Sequence, residues 1–492
     1  MLNQKLICWI AIFNNYFDSK KIKLFKHHLS RPYLGKKKDV QKLYNLLRKL
    51  HPLSEENGNK KVLEKEAIFK KMWPKQTFND KRLSNIVGLL RKEMEDFYFQ
   101  HLTINDPLLR NKVLLKQEEI RLSSELLKEK VKKWEDTLDK QARSSQNYYE
   151  QMYFHEFKIG YCPRDNFNLA TVHLPKFKEN LELFHNSYQL KLLCKEVTTG
   201  SVFSGTNVNH KKVTNLLEET ASYRNENFPL LHLYIECIEL ATRPLESSSF
   251  RQLIQLFKKY TPRLKAVESE AILIILVGFC IRQIYDGNSD YLPYQADLYK
   301  WGLSNKILGD GIIMRASSFM NIVIPVTYAG EFDFAEKVIE EYLPKVPPEE
   351  RAYAKYMALA YIKFGLKEYQ KALKLLHLAC GNYERYRLRY QYLSLRLLYE
   401  IYQTDKSRKP QLLDKIKSYR EFFRTKTALN ETRRLHSLNL AEAVSKMLKF
   451  HQTNTNSKMQ HQILQELAAL KTVDNLWVNK KVKELKKGRS HP

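Results

Sequence analysis

Four polar side chains early in the chain, Lys81, Arg82, Asn85 and Arg91, fall in the first turns of a helix-patterned segment. A DNA-reading helix places its long donors there, where they meet phosphates and base edges. A second set lies toward the C-terminal end: Arg385, Arg387, Arg389, Arg396, Lys417, Arg420 and Arg424, with Lys415, Arg433 and Arg434 beside them. Tyr383, Tyr386, Tyr390, Tyr392, Tyr399 and Tyr402 are interleaved with it. Guanidinium next to phenol suits an acidic peptide or single-stranded nucleic acid, because the cation pairs with carboxylate or phosphate and the ring offers a stacking face. A structural use competes with this one. Tyrosines at helical spacing pack between helices, and arginines at their edges reach into water.

Catalytic chemistry has no comparable signature. The chain contains no Gly-x4-Gly-Lys-Ser/Thr loop, and Gly309-Asp310-Gly311 reads as a turn between helices. Its 14 histidines include no His-Glu-x2-His pair, and the adjacent His27 and His28 would point about 100° apart on a helix. No Gly-x-Ser-x-Gly elbow appears. Cys8, Cys162, Cys194, Cys237, Cys280 and Cys380 stand far apart, without the spacing of a thiolate metal site or a redox pair, and read as reduced core residues. The expectation is a protein that is not an enzyme and takes no cofactor or metal.

The net charge of +29 is unevenly placed. Residues 1–50 hold 12 basic and 2 acidic side chains, residues 151–350 hold 21 and 24, and residues 351–492 hold 30 and 11. Basic ends attract nucleic acid, acidic proteins or anionic lipid alike, and lysines decorating solvated helix faces give the same numbers. The apolar run Leu6 to Phe13 is followed by no small-residue cleavage site, and Leu6, Ile10, Phe13 and Phe17 fit an amphipathic first helix. The longest apolar run, Ala271 to Ile281, falls short of the about 18 residues a membrane span needs. A cytoplasmic setting is expected.

The elements that position these residues are helical. Glycine (15) and proline (16) are scarce, and 43% of residues are hydrophobic, which fits long helices on short connections. Lys38 to Leu50 carries Val40, Leu43, Leu46, Leu47 and Leu50 on one face and stops at Pro52. Val62 to Trp73 repeats the pattern, ending at Pro74, and Asn79 and Asp80 offer caps to a helix bearing Leu83, Ile86, Val87, Leu90, Met94 and Phe97. Val62 to Met72, the turn Trp73 to Thr77 and the helix from Asn79 onward have helix-turn-helix spacing. The spacing predicts one long helix from Asp106 to Lys140, an aromatic-rich helix from Ser145 to Ile159, a helix from Pro175 to Val197 and an exposed loop from Thr198 to Asn209. Beyond it helix pairs recur, with first helices starting near residues 229, 267, 314, 350, 387 and 432. That period is the mark of helical-hairpin repeats.

Two of these pairs share a pattern. The first reads Gly330-x-Phe332-x2-Ala335-x3-Ile339-x2-Tyr342-x4-Pro347, and the second Ala358-x2-Tyr361-x3-Gly365-x3-Tyr369-x2-Ala372-x3-Leu376-x2-Ala379. The pattern resembles the tetratricopeptide repeat over about 314–379, and the resemblance implies a scaffold in which small residues let paired helices approach closely. In the second unit three residues separate Gly365 from Tyr369, where the first has one between Gly330 and Phe332. Val40 to Leu50 with Pro52, Lys65-Glu66-Ala67-Ile68-Phe69 with Trp73-Pro74, Asn79-Asp80-Lys81-Arg82-Leu83 and Phe319-Met320-Asn321-Ile322-Val323 also resemble an uncharacterised bacterial protein family. That resemblance implies no activity and no catalytic residue.

The sequence thus predicts an all-α protein. Residues 1–104 form a small helical bundle of helix-turn-helix type, 105–209 a long-helix segment and loop, 210–475 an irregular helical-hairpin solenoid, and 476–492 a basic tail. The expected function is a non-enzymatic protein-interaction scaffold with an acidic protein partner. The alternative is a nucleic-acid-binding regulator using the N-terminal bundle and the basic ends.

Overall fold

The computed structural model describes residues 19–30, 38–49, 65–106, 109, 124–160, 167–203, 209–242, 246–309, 314–379, 387–426, 429, 431–453 and 457–487. Among these residues the secondary structure is helical, apart from one isolated bridge between Arg143 and Leu264. The chain divides into two compact units. The first is Met1–Lys140 with Gly311–Met314 and Lys345–Arg351, and the second is Gln141–Asp310, Arg315–Pro344 and Ala352–Pro492. No helix among the described residues is long and apolar enough to cross a membrane.

In the first unit α1 (Ser19–Leu29), α2 (Lys38–Lys49), α3 (Lys65–Met72) and α4 (Asp80–Asn105) share a core, and α5 (Ser124–Asp139) follows. Phe25 and Leu29, Val40, Leu43, Tyr44 and Leu47, Ile68, Phe69 and Met72, and Leu83, Val87, Leu90, Met94 and Phe97 are its buried side chains. On each helix they recur three or four residues apart, so one stripe faces inward. Each contributes roughly 1.5–3 kcal/mol relative to exposure, and this packing makes a helix of the eight-residue α3, too short to persist alone. Leu6 to Phe17 and Val62 to Glu64 lie outside the described residues. The long helix expected from Asp106 to Lys140 is described only as α5, and residues 110–123 lie outside the description.

The second unit opens with α6 (Ser145–Gly160) packed along α7 (Phe167–Phe203), followed by α8 (His210–Glu219). α7 corrects two expectations. It begins ahead of Pro175 and carries it inside, on the exposed side of the helix where the ring meets no packed neighbour element among the described residues, and it continues through Thr198 to Phe203 instead of opening into a loop. Helix pairs follow: α9 (Pro229–Thr242) with α10 (Ser247–Tyr260), α11 (Ala266–Tyr285) with α12 (Tyr291–Ser304), and α13 (Ala316–Tyr328) with α14 (Phe332–Tyr342). After them come α15 (Pro348–Gly365) and α16 (Tyr369–Leu378), α17 (Arg387–Thr404) and α18 (Lys409–Arg424), α19 (Glu431–Gln452) and α20 (Ser457–Ala469), and a last helix, α21 (Asn475–Lys487). The segment expected to be a basic tail from residue 476 therefore begins inside a packed helix, with Trp477, Val478 and Val482 buried.

The turns between paired helices explain the uneven spacing of the two repeat units. After α13, Gly330 stands at φ +83°, its N–H bonds the Thr327 carbonyl at 3.0 Å, and the Glu331 N–H bonds that of Val326 at 3.0 Å. This closes the helix with a left-handed residue just past its end. After α15 the same two bonds run from Lys367 to Phe364 and from Glu368 to Lys363, and the left-handed residue is Lys367 at φ +62°. Lys367-x-Tyr369 is thus the counterpart of Gly330-x-Phe332, and Gly365 has another task. A Cβ on Gly365 would come within 2.6 Å of the Phe332 ring, so its bare backbone lets the two helix pairs meet. Ala335, Ala358 and Ala372 are also fully buried.

A lysine at a left-handed position carries a Cβ penalty that glycine avoids. Lys367→Gly is expected to stabilise the protein by about 0.5–1 kcal/mol in denaturant unfolding, and Gly365→Val to destabilise it by about 1–3 kcal/mol.

Candidate functional site

The N-terminal candidate lies at the start of α4. Asn79 caps the helix, its side-chain oxygen accepting the Arg82 N–H at 2.9 Å. Arg82 turns back over its own unit: its guanidinium sits 4.4 Å above the Trp73 ring, donates to Gln76 Oε1 at 2.6 Å and approaches Asp39 at 3.5 Å. Arg91 pairs with Glu95 one turn on, at 3.4 Å. Both guanidinium groups are thus engaged within the unit, on side chains that remain exposed to solvent. Lys81 and Asn85 are exposed, and at helical spacing they share an outward stripe with Gly88 and Lys92. Lys92, one residue past Arg91, was not among the sequence candidates.

The C-terminal candidate divides more sharply. Arg385 lies outside the described residues. Arg387 is exposed at the start of α17, 5.7 Å above the Phe422 ring, and Arg389 donates to Asn321 Oδ1 at 2.7 Å. On α18, Leu412, Ile416, Tyr419 and Phe423 turn inward and leave Asp414, Lys417, Glu421 and Arg424 on the outer face. Lys417 and Arg424 therefore alternate with carboxylates on that face of α18. Arg420 bonds Glu442 at 2.7 Å and Ser445 at 3.0 Å. Tyr399 and Tyr402 are core residues, as the packing alternative for the tyrosines holds.

Arg396 is not a surface residue at all. Its side chain is only 2% exposed, and its guanidinium pairs with Asp474, donates to the Tyr328 hydroxyl at 2.5 Å and to the Tyr392 carbonyl at 3.3 Å, and faces the Phe364 ring at 5.1 Å. Burial alone opposes its charge, but the oxygens of Tyr328, Asp474 and Tyr361 more than offset this and hold it firmly protonated. One turn along α17, Glu400 is also buried, accepting the Trp477 indole N–H at 2.8 Å and the Lys481 ammonium at 2.7 Å. Asp474 caps α21, taking the Trp477 N–H at 3.1 Å. Asn475 donates to the Tyr285 carbonyl at 2.6 Å, the Val473 N–H to the His436 carbonyl at 3.2 Å, and Asn439 to the Lys471 carbonyl at 2.8 Å. The start of α21 is thus fixed to α11, α17 and α19, and through Arg396 to the neighbourhood of Tyr328 in α13 and Tyr361 in α15. All five are first helices of their pairs.

No family model matches this chain, nor does any curated protein or solved structure. The geometry has to carry the functional reading. Glu400, Asp474, Trp477 and Lys481 escaped the sequence reading, although Arg396 and Glu400 do stand four residues apart inside the otherwise hydrophobic stretch Leu395 to Ile401.

Two further buried groups come together from distant positions. Cys194 of α7 and Cys237 of α9 meet in the core, where the neighbouring thiol and burial push the Cys237 thiol well above its ordinary range. His155 of α6 and His173 of α7 face each other with Nδ1 atoms 3.0 Å apart. Burial, then His173, Lys176 and Lys158, lower the His155 pKa to about 4. The unfolded chain takes up this proton near pH 6.5 and the folded chain only near 4. The associated stability is intact above 6.5 and is lost progressively as the pH falls through that window. Thermal unfolding is expected to show Tm falling from pH 6.5 toward 4, with a shallower fall in His155→Gln.

Proposed function

We propose that this protein is a non-enzymatic scaffold whose hairpin array, a tetratricopeptide-like solenoid, holds helical segments of protein partners. The observation that carries this reading is the chemistry gathered on the first helices. Arg396 and Glu400 on α17, with Tyr285 and His436 beside them, receive an amphipathic helix through an aromatic anchor, two ion pairs and backbone hydrogen bonds. This is the helix-in-groove mode, in which spaced anchors along one helical face give affinity and charges give register. The small residues between helix pairs, Ala335, Ala358, Gly365 and Ala372, support the same architecture. The buried thiols of Cys194, Cys237 and Cys280, none of them in a disulfide, fit a cytoplasmic setting.

A second reading has its own observation. The outward stripe of α4 offers Lys81, Asn85 and Lys92 around Gly88, where nothing stands within 4 Å of a Cβ position. An exposed glycine within a helix weakens it by about 1 kcal/mol relative to alanine, and a backbone that must approach closely is one reason to keep it. Two lysines flanking such a gap suit a phosphate backbone, so a duplex nucleic acid is the partner on this reading.

Affinity purification of the tagged full-length protein from its native cells, with and without nuclease, separates the two. A defined set of proteins that survives nuclease is the result expected; recovery of nuclease-sensitive material alone overturns the scaffold. In that case Lys81→Ala with Lys92→Ala should lower the salt slope of DNA binding by about two, and Arg82→Ala should leave it unchanged.

A further inference from the structure

The way α21 is held differs from the way the other helices are. The paired helices α17 to α20 meet through Leu395, Leu412, Ile416, Phe423, Leu440, Val444, Met447 and Leu464, and the ion pairs between them, Arg420 with Glu442 and Lys446 with Glu466, lie at part-exposed edges of that apolar surface. α21 adds Trp477, Val478 and Val482 to that core, and polar bonds fix the rest of its contact: Asp474 to Arg396, Trp477 Nε1 and Lys481 Nζ to the two oxygens of Glu400, and Asn475 to the Tyr285 carbonyl.

The charges also specify direction. On α17 the cation Arg396 precedes the anion Glu400, and on the incoming segment the anion Asp474 precedes the cation Lys481. Read from N- to C-terminus the two orders match sign for sign, so α21 runs the same way as α17. A helix entering in reverse would set Lys481 toward Arg396 and Asp474 toward Glu400, leaving three buried charges and the part-buried Asp474 facing their own kind. Buried ion pairs stabilise little compared with well-packed apolar groups, whereas a mismatched one is costly, so an interface built on them is tuned for discrimination. Its outer face is solvated: Lys480, Lys483, Lys486 and Lys487 are exposed. At 13 residues α21 is also near the lower limit for a helix that persists alone in water, so it draws its order from the face it covers.

We infer that α21 is a resident ligand of the first-helix face, released when a partner helix with the same order of groups takes its place: an acidic N-cap, a tryptophan three residues on, and a lysine or arginine seven residues on. The inference rests on the scaffold reading and names the kind of segment that scaffold holds. With α21 seated the face is closed to partners; with α21 displaced, Arg396 and Glu400 engage the incoming carboxylate and cation, and the lysine-rich segment from Lys480 to Lys487 is set free.

Hydrogen exchange on the intact full-length chain tests this. In the wild type the amides of α21 should exchange through a local opening, faster than those of α17 and α19, which exchange with the unit as a whole. Lys481→Glu, which sets a carboxylate against Glu400, should speed exchange in α21 by at least about a hundredfold and leave α19 protected. A fluorescent peptide of residues 470–487 should then bind the Lys481→Glu chain at least about tenfold tighter than the wild type, since its own Lys481 restores the pair with Glu400. The same peptide carrying Lys481→Glu should not bind. Wild-type α21 amides exchanging only at the rate of α17 and α19 would show the helix to be permanent core and overturn the inference. So would a Lys481→Glu chain that keeps α19 protected and still ignores the wild-type peptide. Either failure leaves the scaffold reading to the affinity purification, which does not depend on α21.

Discussion

Two charges of opposite sign, Arg396 and Glu400, are carried into the interior on one turn of α17, and neither is tolerable there without a matching charge. The matches come from far along the chain. Asp474 reaches Arg396 across 78 residues and Lys481 reaches Glu400 across 81, so the pairing requires α21 to return over the helix pairs that precede it. The cap of α21, its direction and the position of Trp477 against Tyr399, with ring centroids 5.5 Å apart, follow from that requirement.

The helix pairs supply the frame in which such a return is feasible. Two of them turn through a left-handed residue, Gly330 and Lys367, and neighbouring pairs approach where a side chain is missing, as where Phe332 lies over Gly365. Close packing of this kind is stiff, because side chains in a dense core cannot shift without opening voids. The frame therefore holds Tyr328, Tyr361, Phe364, Arg396 and Glu400 in fixed relation, and the polar contacts of α21 are made to a preformed surface. The first unit shows a milder form of the same economy: Arg82, stacked on Trp73 and bonded to Gln76, ties the turn before α4 to the helix it introduces.

Much of the fold was legible because periodicity is a local property. Val40, Leu43 and Leu47, or Leu83, Val87, Leu90 and Met94, announce their buried faces by spacing alone, and α9 starts where its pattern predicted, at Pro229. What was misread depended on partners distant in sequence. Arg396 looked like one more member of a basic surface, since its neighbours Arg387 and Arg389 are basic and nothing nearby announces Asp474. The segment from Asn475 to Lys487 looked like a tail because its lysines outnumber its anchors Trp477, Val478 and Val482. α1 was overlooked for the same reason, its inward Phe25 and Leu29 being set among lysines and histidines. The irregular spacing of the second repeat unit misled for another: a lysine occupied the left-handed position where glycine was sought.

The claim that α21 is held by a specific charge pairing is tested most directly by a double-mutant cycle on Glu400→Gln and Lys481→Met, with stability measured by denaturant unfolding of the full-length chain. Lys481→Met leaves the buried Glu400 without its cation, Glu400→Gln leaves Lys481 with only the half-exposed Glu484 at 2.7 Å, and the double change removes both charges. The account predicts that the double variant is more stable than the sum of the two losses by at least about 1 kcal/mol. Losses that add to within about 0.5 kcal/mol would show that the two groups do not depend on each other, and would contradict it.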